Sequence, residues 1–184
     1  MINGVSARAG RDAVAIEPLD ERVDHVRGAP QARLILEYGD YECPYSRAAY
    51  REIEKVEHQL PGGVRFAFRH FPLNQIHPHA AIAAAAAEAA AIQDRFWEMH
   101  DLLYRRQKAL EEDDLRGYAD ELDLDVERFD RDRSTDAVLQ RVARDMSSGI
   151  ASGQVLGTPT LFIDGVVLPG GYDAPTLIKA LTQH

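Results

Sequence analysis

The spacing of apolar positions changes along the chain, and each change predicts an element. Arg33-Leu34-Ile35-Leu36-Glu37-Tyr38 is a short β-prone run set off by Gly28 and Pro30, and it predicts a strand. After the loop Gly39-Asp40-Tyr41-Glu42, apolar residues recur at Ala49, Ile53, Val56 and Leu60, one stripe of a helix. Pro61-Gly62-Gly63 ends that helix. Val64 to Arg69 alternates apolar with polar or small residues and predicts a second strand, parallel to the first.

The middle of the chain carries only helical patterns. An alanine-rich segment from His79 to Arg106 has bulkier core positions at Ile82, Ile92, Phe96, Met99 and Leu103. Asp113 or Asp114 is positioned to cap a helix with Leu115, Tyr118 and Leu122, and Asp125 to cap a turn with Val126 and Phe129. Ser134 or Thr135 starts a longer helix with Val138, Val142, Met146 and Ile150 on one face. Strand signals return after Gly157, where Thr160–Ile163 and Val166–Leu168 flank the hairpin cue Asp164-Gly165. Asp173 then caps a last helix with Leu177, Ile178 and Leu181 inward. The order is β-α-β, a helical block, then β-β-α, an α/β class.

Residues 1–23 are polar and weakly patterned, an expected N-terminal extension, partly disordered, with a short strand at Val14-Ala15-Ile16. The remaining divisions are 24–73, a helical insertion at 74–152, and 153–184. A length of 184 residues suits one packed domain with an insertion. The net charge of −9 argues against nucleic acid or an anionic membrane as the main partner. No apolar run reaches the roughly 20 residues that span a bilayer, and Met1 to Arg8 has no apolar core of a secretory kind. A cytoplasmic location is therefore expected. A homodimer, with the extension as its arm, is compatible with the pattern.

The chain has a single cysteine, Cys43, followed by Pro44, Tyr45 and Ser46. A second cysteine at the position of Ser46 would complete a dithiol pair; one thiol can only attack a disulfide and wait for another thiol to release it. Pro44 suits the first position of a helix, which places Cys43 at the unsatisfied N–H groups of a helix start. That is the environment in which thiols turn into thiolates. Ser46, one turn in, is expected to donate a hydrogen bond to the sulfur. The competing reading is a buried structural cysteine. Pro159, in Gly157-Thr158-Pro159-Thr160, opens a strand, and by pattern alone its bond reads as an ordinary trans one.

The segment from Glu37 to Ser46, with Phe68-Arg69-His70-Phe71-Pro72-Leu73, His77-Pro78, Phe96-Trp97-Glu98-Met99-His100 and Gly157-Thr158-Pro159-Thr160, resembles the DsbA-like branch of the thioredoxin superfamily. Asp24 to Gly28 resembles its entry segment, so the likeness runs from about residue 24 to the C-terminus. The resemblance implies a thioredoxin fold interrupted by a helical insertion. It also implies a cis bond at Thr158-Pro159 facing Cys43, where substrate disulfides dock, and it matches Glu37 to a buried carboxylate that assists proton transfer. Ser46 departs from the family's second cysteine, so a dithiol cycle does not carry over.

The first functional expectation is thus a monothiol thiol-disulfide oxidoreductase working on mixed or protein disulfides. It binds no resident cofactor and uses glutathione or another small thiol as co-substrate. A redox-inactive peptide-binding module or holdase using the same groove is the second. A glutathione transferase or isomerase resembling the kappa class is the third, weakened because its catalytic hydroxyl would stand where this chain has Cys43. His70, His77, His79 and His100 match no closed ligand set, so no metal is expected. Trp97 packs the insertion or rims the groove. Arg47 and Arg69 could attract glutathione carboxylates, against the commoner outcome of solvated surface arginines. Arg105-Arg106-Gln107-Lys108 reads as a helix end salt-bridged to Glu111-Glu112, and Asp123 and Asp125 as helix punctuation.

Overall fold

In the computed structural model, which describes residues 15–183, one mixed sheet carries helices on both faces. Its strands are β1 (His25–Gly28), β2 (Arg33–Gly39), β3 (Val64–His70), β4 (Thr160–Ile163) and β5 (Val166–Val167), in the order β1-β3-β2-β4-β5. Only the β2–β3 pair is parallel, and α1 (Pro44–Gln59) connects it. The other pairs are antiparallel. Five helices lie between β3 and β4: α2 (Ala80–Ala91), α3 (Phe96–Arg105), α4 (Glu112–Glu121), α5 (Val126–Asp132) and α6 (Asp136–Ser152). The last helix is α7 (Ala174–Thr182).

The period-two alternation of strand side chains divides the core between the two faces. Ile35, Phe66, Phe68, Leu161 and Ile163 pack with Ile53 and Val56 of α1, Met99 and Leu103 of α3, and Leu177 and Leu181 of α7. Leu36, Tyr38, Ala67 and Phe162 face the other way, onto Ile16, Phe71 and Val155. The second face is closed partly by the chain ahead of β1. Ile16 is buried there, and Arg69 of β3 donates to the carbonyls of Glu17 and Pro18 at 2.9 and 3.0 Å.

Several local expectations need correcting. The segment expected as a partly disordered extension joins the fold: Ile16 and Leu19 pack on the sheet, and β1 pairs along β3. Ala15 and Ile16 are not in a strand, and the rest of the expected strand and extension lies outside the described residues. The segment 79–106 is two helices, broken where Asp94 takes a positive φ of 60°, and Ile92 at the break is exposed. Helix α4 is capped by Glu111 in a reciprocal capping box with Asp114. Asp125, Thr135 and Asp173 cap α5, α6 and α7 by accepting backbone N–H groups.

Candidate active site

The site is built where β2 hands over to α1. Cys43 is the residue before the helix, with extended backbone (φ −72°, ψ 120°), and Pro44 takes the first turn. Asp40 shapes the loop between strand and helix. One of its carboxylate oxygens accepts from the Glu42 N–H at 2.8 Å. The other accepts from the Leu73 N–H at 2.9 Å and lies 2.7 Å from His77 Nδ1. Glu42 in turn accepts from the His79 N–H at 2.6 Å and meets its Nδ1 at 2.9 Å. The Gln107 side-chain amide, from the segment after α3, donates to the carbonyls of Tyr41 and Cys43 at 2.7 and 2.9 Å. The helical insertion therefore holds the cysteine loop from two sides.

The Thr158–Pro159 peptide is cis, and the Thr158 carbonyl accepts from Cys43 Sγ at 3.3 Å. The start of β4 thus lies directly against the sulfur. Cys43 is only 3% exposed, and Pro159, next to the carbonyl that its sulfur meets, lines a groove. A cavity of about 170 Å³ opens there, lined by Leu156, Pro159, Thr160, Leu168 and Tyr172 among others. Leu156 is 91% exposed and Tyr45 66%, which puts apolar surface at the rim.

Ser46 is fully buried, and its oxygen accepts from the Asp40 N–H at 3.3 Å. The sulfur's recorded bond is to Thr158, so the expected hydrogen bond from Ser46 to sulfur is replaced by a bond that ties the helix to the loop. Glu37 points into the apolar core on β2, with neither carboxylate oxygen hydrogen-bonded. Burial pushes its pKa up to about 8, with Arg27 pulling weakly the other way. A Cβ on Gly39 would fall within 2.8 Å of both Glu37 Oε1 and the Tyr104 hydroxyl, so these two groups converge on a spot only glycine leaves open. Burial, then the charges of Glu37, Tyr41 and Asp40, raises the Tyr104 hydroxyl well above its usual range.

The other candidates separate. Arg69 is buried, gripping Asp24 through Nε and Nη2 at 2.9 and 2.8 Å, and so is no docking cation. Arg47 lies by the site, with Nη2 donating to the Arg105 carbonyl at 3.3 Å. Arg105 pairs with Glu54 and Arg106 with Glu121, whereas Glu111 meets His79 and Glu112 meets Arg133. The expected pairing with Glu111-Glu112 is thus wrong in its partners. Trp97 packs on Phe66 and under the Arg27 guanidinium, in the core beneath the insertion. Gln107, Tyr172 and Leu156 had no sequence signal, because each reaches the site from a loop distant in sequence.

The two halves of the sheet, the helical block between them and a cysteine at the start of the first helix define a thioredoxin-type protein with an insertion of the DsbA kind. The thioredoxin family model matches residues 20–182, and the chain belongs to that family. A thioredoxin-like oxidoreductase from Silicibacter pomeroyi superposes with a TM-score of 0.74 at 28% identity, covering 85% of this chain and 89% of that one. BdbD from Bacillus subtilis shares the fold at a TM-score of 0.78 and 22% identity, covering 92% and 96%. Among curated relatives, the Na(+)/H(+) antiporter NhaA of Herminiimonas arsenicoxydans is 46% identical over 165 residues, 89% of this chain and 26% of that protein. NhaA 1 of Salinispora arenicola is 42% identical over 90% of this chain and 25% of its own length. The chain thus spans about a quarter of these relatives. No helix among the described residues is long and apolar enough to cross a membrane.

Proposed function

We propose that the chain is a thiol-disulfide oxidoreductase acting through Cys43 alone. The observation that carries this reading is the contact of Cys43 Sγ, at a helix start, with the Thr158 carbonyl of a cis X-Pro peptide, beside a groove with an apolar rim. In the first step the Cys43 thiolate attacks one sulfur of a substrate disulfide; the S–S bond breaks and the other sulfur leaves as a thiolate. In the second step an external thiolate attacks the mixed disulfide, forms a new disulfide with the substrate sulfur and returns Cys43 as thiolate. Ser46 has no sulfur to perform that release, so a small thiol such as glutathione is the co-substrate, in a reducing compartment such as the cytoplasm. Thr158 and Pro159 line the substrate side, with Tyr45 and Leu156 offering apolar contact. For the relatives named as antiporters, the same reading makes this quarter of the chain a redox unit beside a transport unit.

The test is intact mass spectrometry after incubation with glutathione disulfide. A single glutathione adduct, absent in Cys43→Ser and removed by reduced glutathione, is the expected result. No adduct on the native chain sinks the reading. A second reading, a peptide-binding module, draws on the exposed Leu156 and Tyr45, and it expects capture of extended apolar peptide to persist in Cys43→Ser. The kappa-class-like reading expects Cys43→Ser to keep activity toward an electrophile with glutathione.

A further inference from the structure

Away from Cys43, three elements bring three metal-ligating side chains to one point. His25 of β1 and His70 of β3 both aim Nε2 at the same oxygen of Glu88 on α2, at 2.8 and 2.7 Å. The three donor atoms lie within 4.8 Å of one another. Neighbouring rings hold the imidazoles in place. His25 stacks on Phe96 with centroids 3.4 Å apart, and Phe96, Phe68 and Tyr41 meet His70 edge-on. His70 and Glu88 are buried, whereas the His25 side chain is 17% exposed, so the cluster has one way out to solvent.

Glu88 has two ring nitrogens at hydrogen-bond distance and an arginine only further off. The nearest cation, Arg141, has its Nε 3.9 Å away and is paired with Asp145. Asp145 also accepts from the His70 N–H at 3.0 Å and draws Arg144 to 3.5 Å, while Arg144 serves Asp24 and Glu17.

We infer that His25, His70 and Glu88 form a three-ligand site for a divalent transition-metal ion, with the fourth position open on the His25 side. Two imidazoles and a carboxylate are a donor set that suits zinc. Metal–ligand bonds of about 2.0–2.2 Å require tetrahedral donors a little over 3 Å apart, so each imidazole moves off the Glu88 oxygen by roughly half an ångström on binding. In the hydrogen-bonded state each Nε2 carries the proton it donates to Glu88. Binding displaces that proton, which leaves to solvent or passes to the other ring nitrogen, and frees the Nε2 lone pair. The site is independent of the reaction proposed for Cys43.

The experiment uses the full chain with Cys43→Ala, which removes the one thiol that could bind the same ions. Calorimetric titration with zinc should give one site per chain, with a raised unfolding temperature in the bound form. Cobalt in the same chain should give visible bands of nitrogen and oxygen coordination with no thiolate charge-transfer band. His25→Gln, at the partly exposed ligand, and Glu88→Gln should each weaken binding at least tenfold; circular dichroism identifies any variant that fails to fold, and His25→Gln then decides. Absence of stoichiometric zinc binding in the Cys43→Ala chain overturns the inference. So does an affinity that His25→Gln leaves unchanged.

Discussion

Glu37 is a carboxyl placed where water cannot reach it, and no donor in the structure compensates. Its folded state keeps the proton up to a pKa of about 8, whereas the ordinary value is 4.5. Below pH 4.5 both folded and unfolded chains hold this proton, and Glu37 adds no pH dependence. Between 4.5 and 8 the unfolded chain releases it while the folded chain does not, so stability falls as pH rises through that window. One pKa unit corresponds to about 1.4 kcal/mol, so the loss reaches a few kcal/mol. Glu37→Gln should therefore stabilise the protein at pH 8 and leave it nearly unchanged at pH 4, measured by urea unfolding across the range. Equal effects of the substitution at both pH values would show that the carboxyl is not held neutral by the fold. The group that holds this proton lies in the core beside Gly39, at the start of the loop that carries Cys43.

Helix α6 shows what a helix does to the sheet beside it. The sequence predicts a stripe of Val138, Val142, Met146 and Ile150, yet Ile150 is 63% exposed. A step of four residues turns about 400° in an α-helix, so a strict every-fourth pattern drifts about 40° per step off one face. The buried face instead follows Val138, Val142, Asp145, Ser148, Gly149 and Ser152, with Met146 partly buried at its edge. Glycine is needed at 149 because a Cβ there would lie 3.0 Å from the Phe71 ring and 3.1 Å from that of Tyr38. Tyr38 cannot swing away, since its hydroxyl bonds Ser148 at 2.7 Å and Arg69 at 2.9 Å. Replacing helical glycine with alanine is worth about 1 kcal/mol, while overpacking a core costs roughly 1–3 kcal/mol. Gly149→Ala should thus destabilise by about 1 kcal/mol, while Gly117→Ala in α4, with nothing within 4 Å, should stabilise by a similar amount. Thermal unfolding of the two variants compares them directly, and a stabilised Gly149→Ala would mean that α6 does not press on the sheet. Local periodicity was enough to read α1, whose Ala49, Ile53 and Val56 are buried as the stripe requires, and to order the strands around the insertion. It could not show polar residues on a buried face, where Asp145 accepts from the His70 N–H and Ser148 bonds the Tyr38 hydroxyl, both far along the chain.

Across the whole molecule, the segment ahead of β1 joins the sheet to the insertion through one buried carboxylate. Asp24 accepts from Arg69 of β3 at 2.9 and 2.8 Å and from Arg144 of α6 at 3.2 Å, and Arg141 of α6 donates to the Val23 carbonyl at 3.0 Å. Residues up to 23 look like an extension in the sequence because contacts as distant as those of residues 17, 18 and 24 with Arg69 leave no periodic trace. The same is true of His25, His70 and Glu88, which come together only once β1, β3 and α2 are packed. Both members of the Asp24–Arg69 pair have fully buried side chains, so each owes its place to the other. Removing one partner of such a pair strands a charge and costs about 3–5 kcal/mol, whereas removing both is often close to neutral. Arg69→Met should therefore cost about 3 kcal/mol, at the low end because Arg144 still reaches Asp24. Adding Asp24→Leu to it should recover much of that loss. Urea unfolding of the two single variants and the double gives the coupling energy directly. A single-variant cost below about 1 kcal/mol, the range of an exposed ion pair, would mean that the segment merely lies on the sheet and does not lock it to α6.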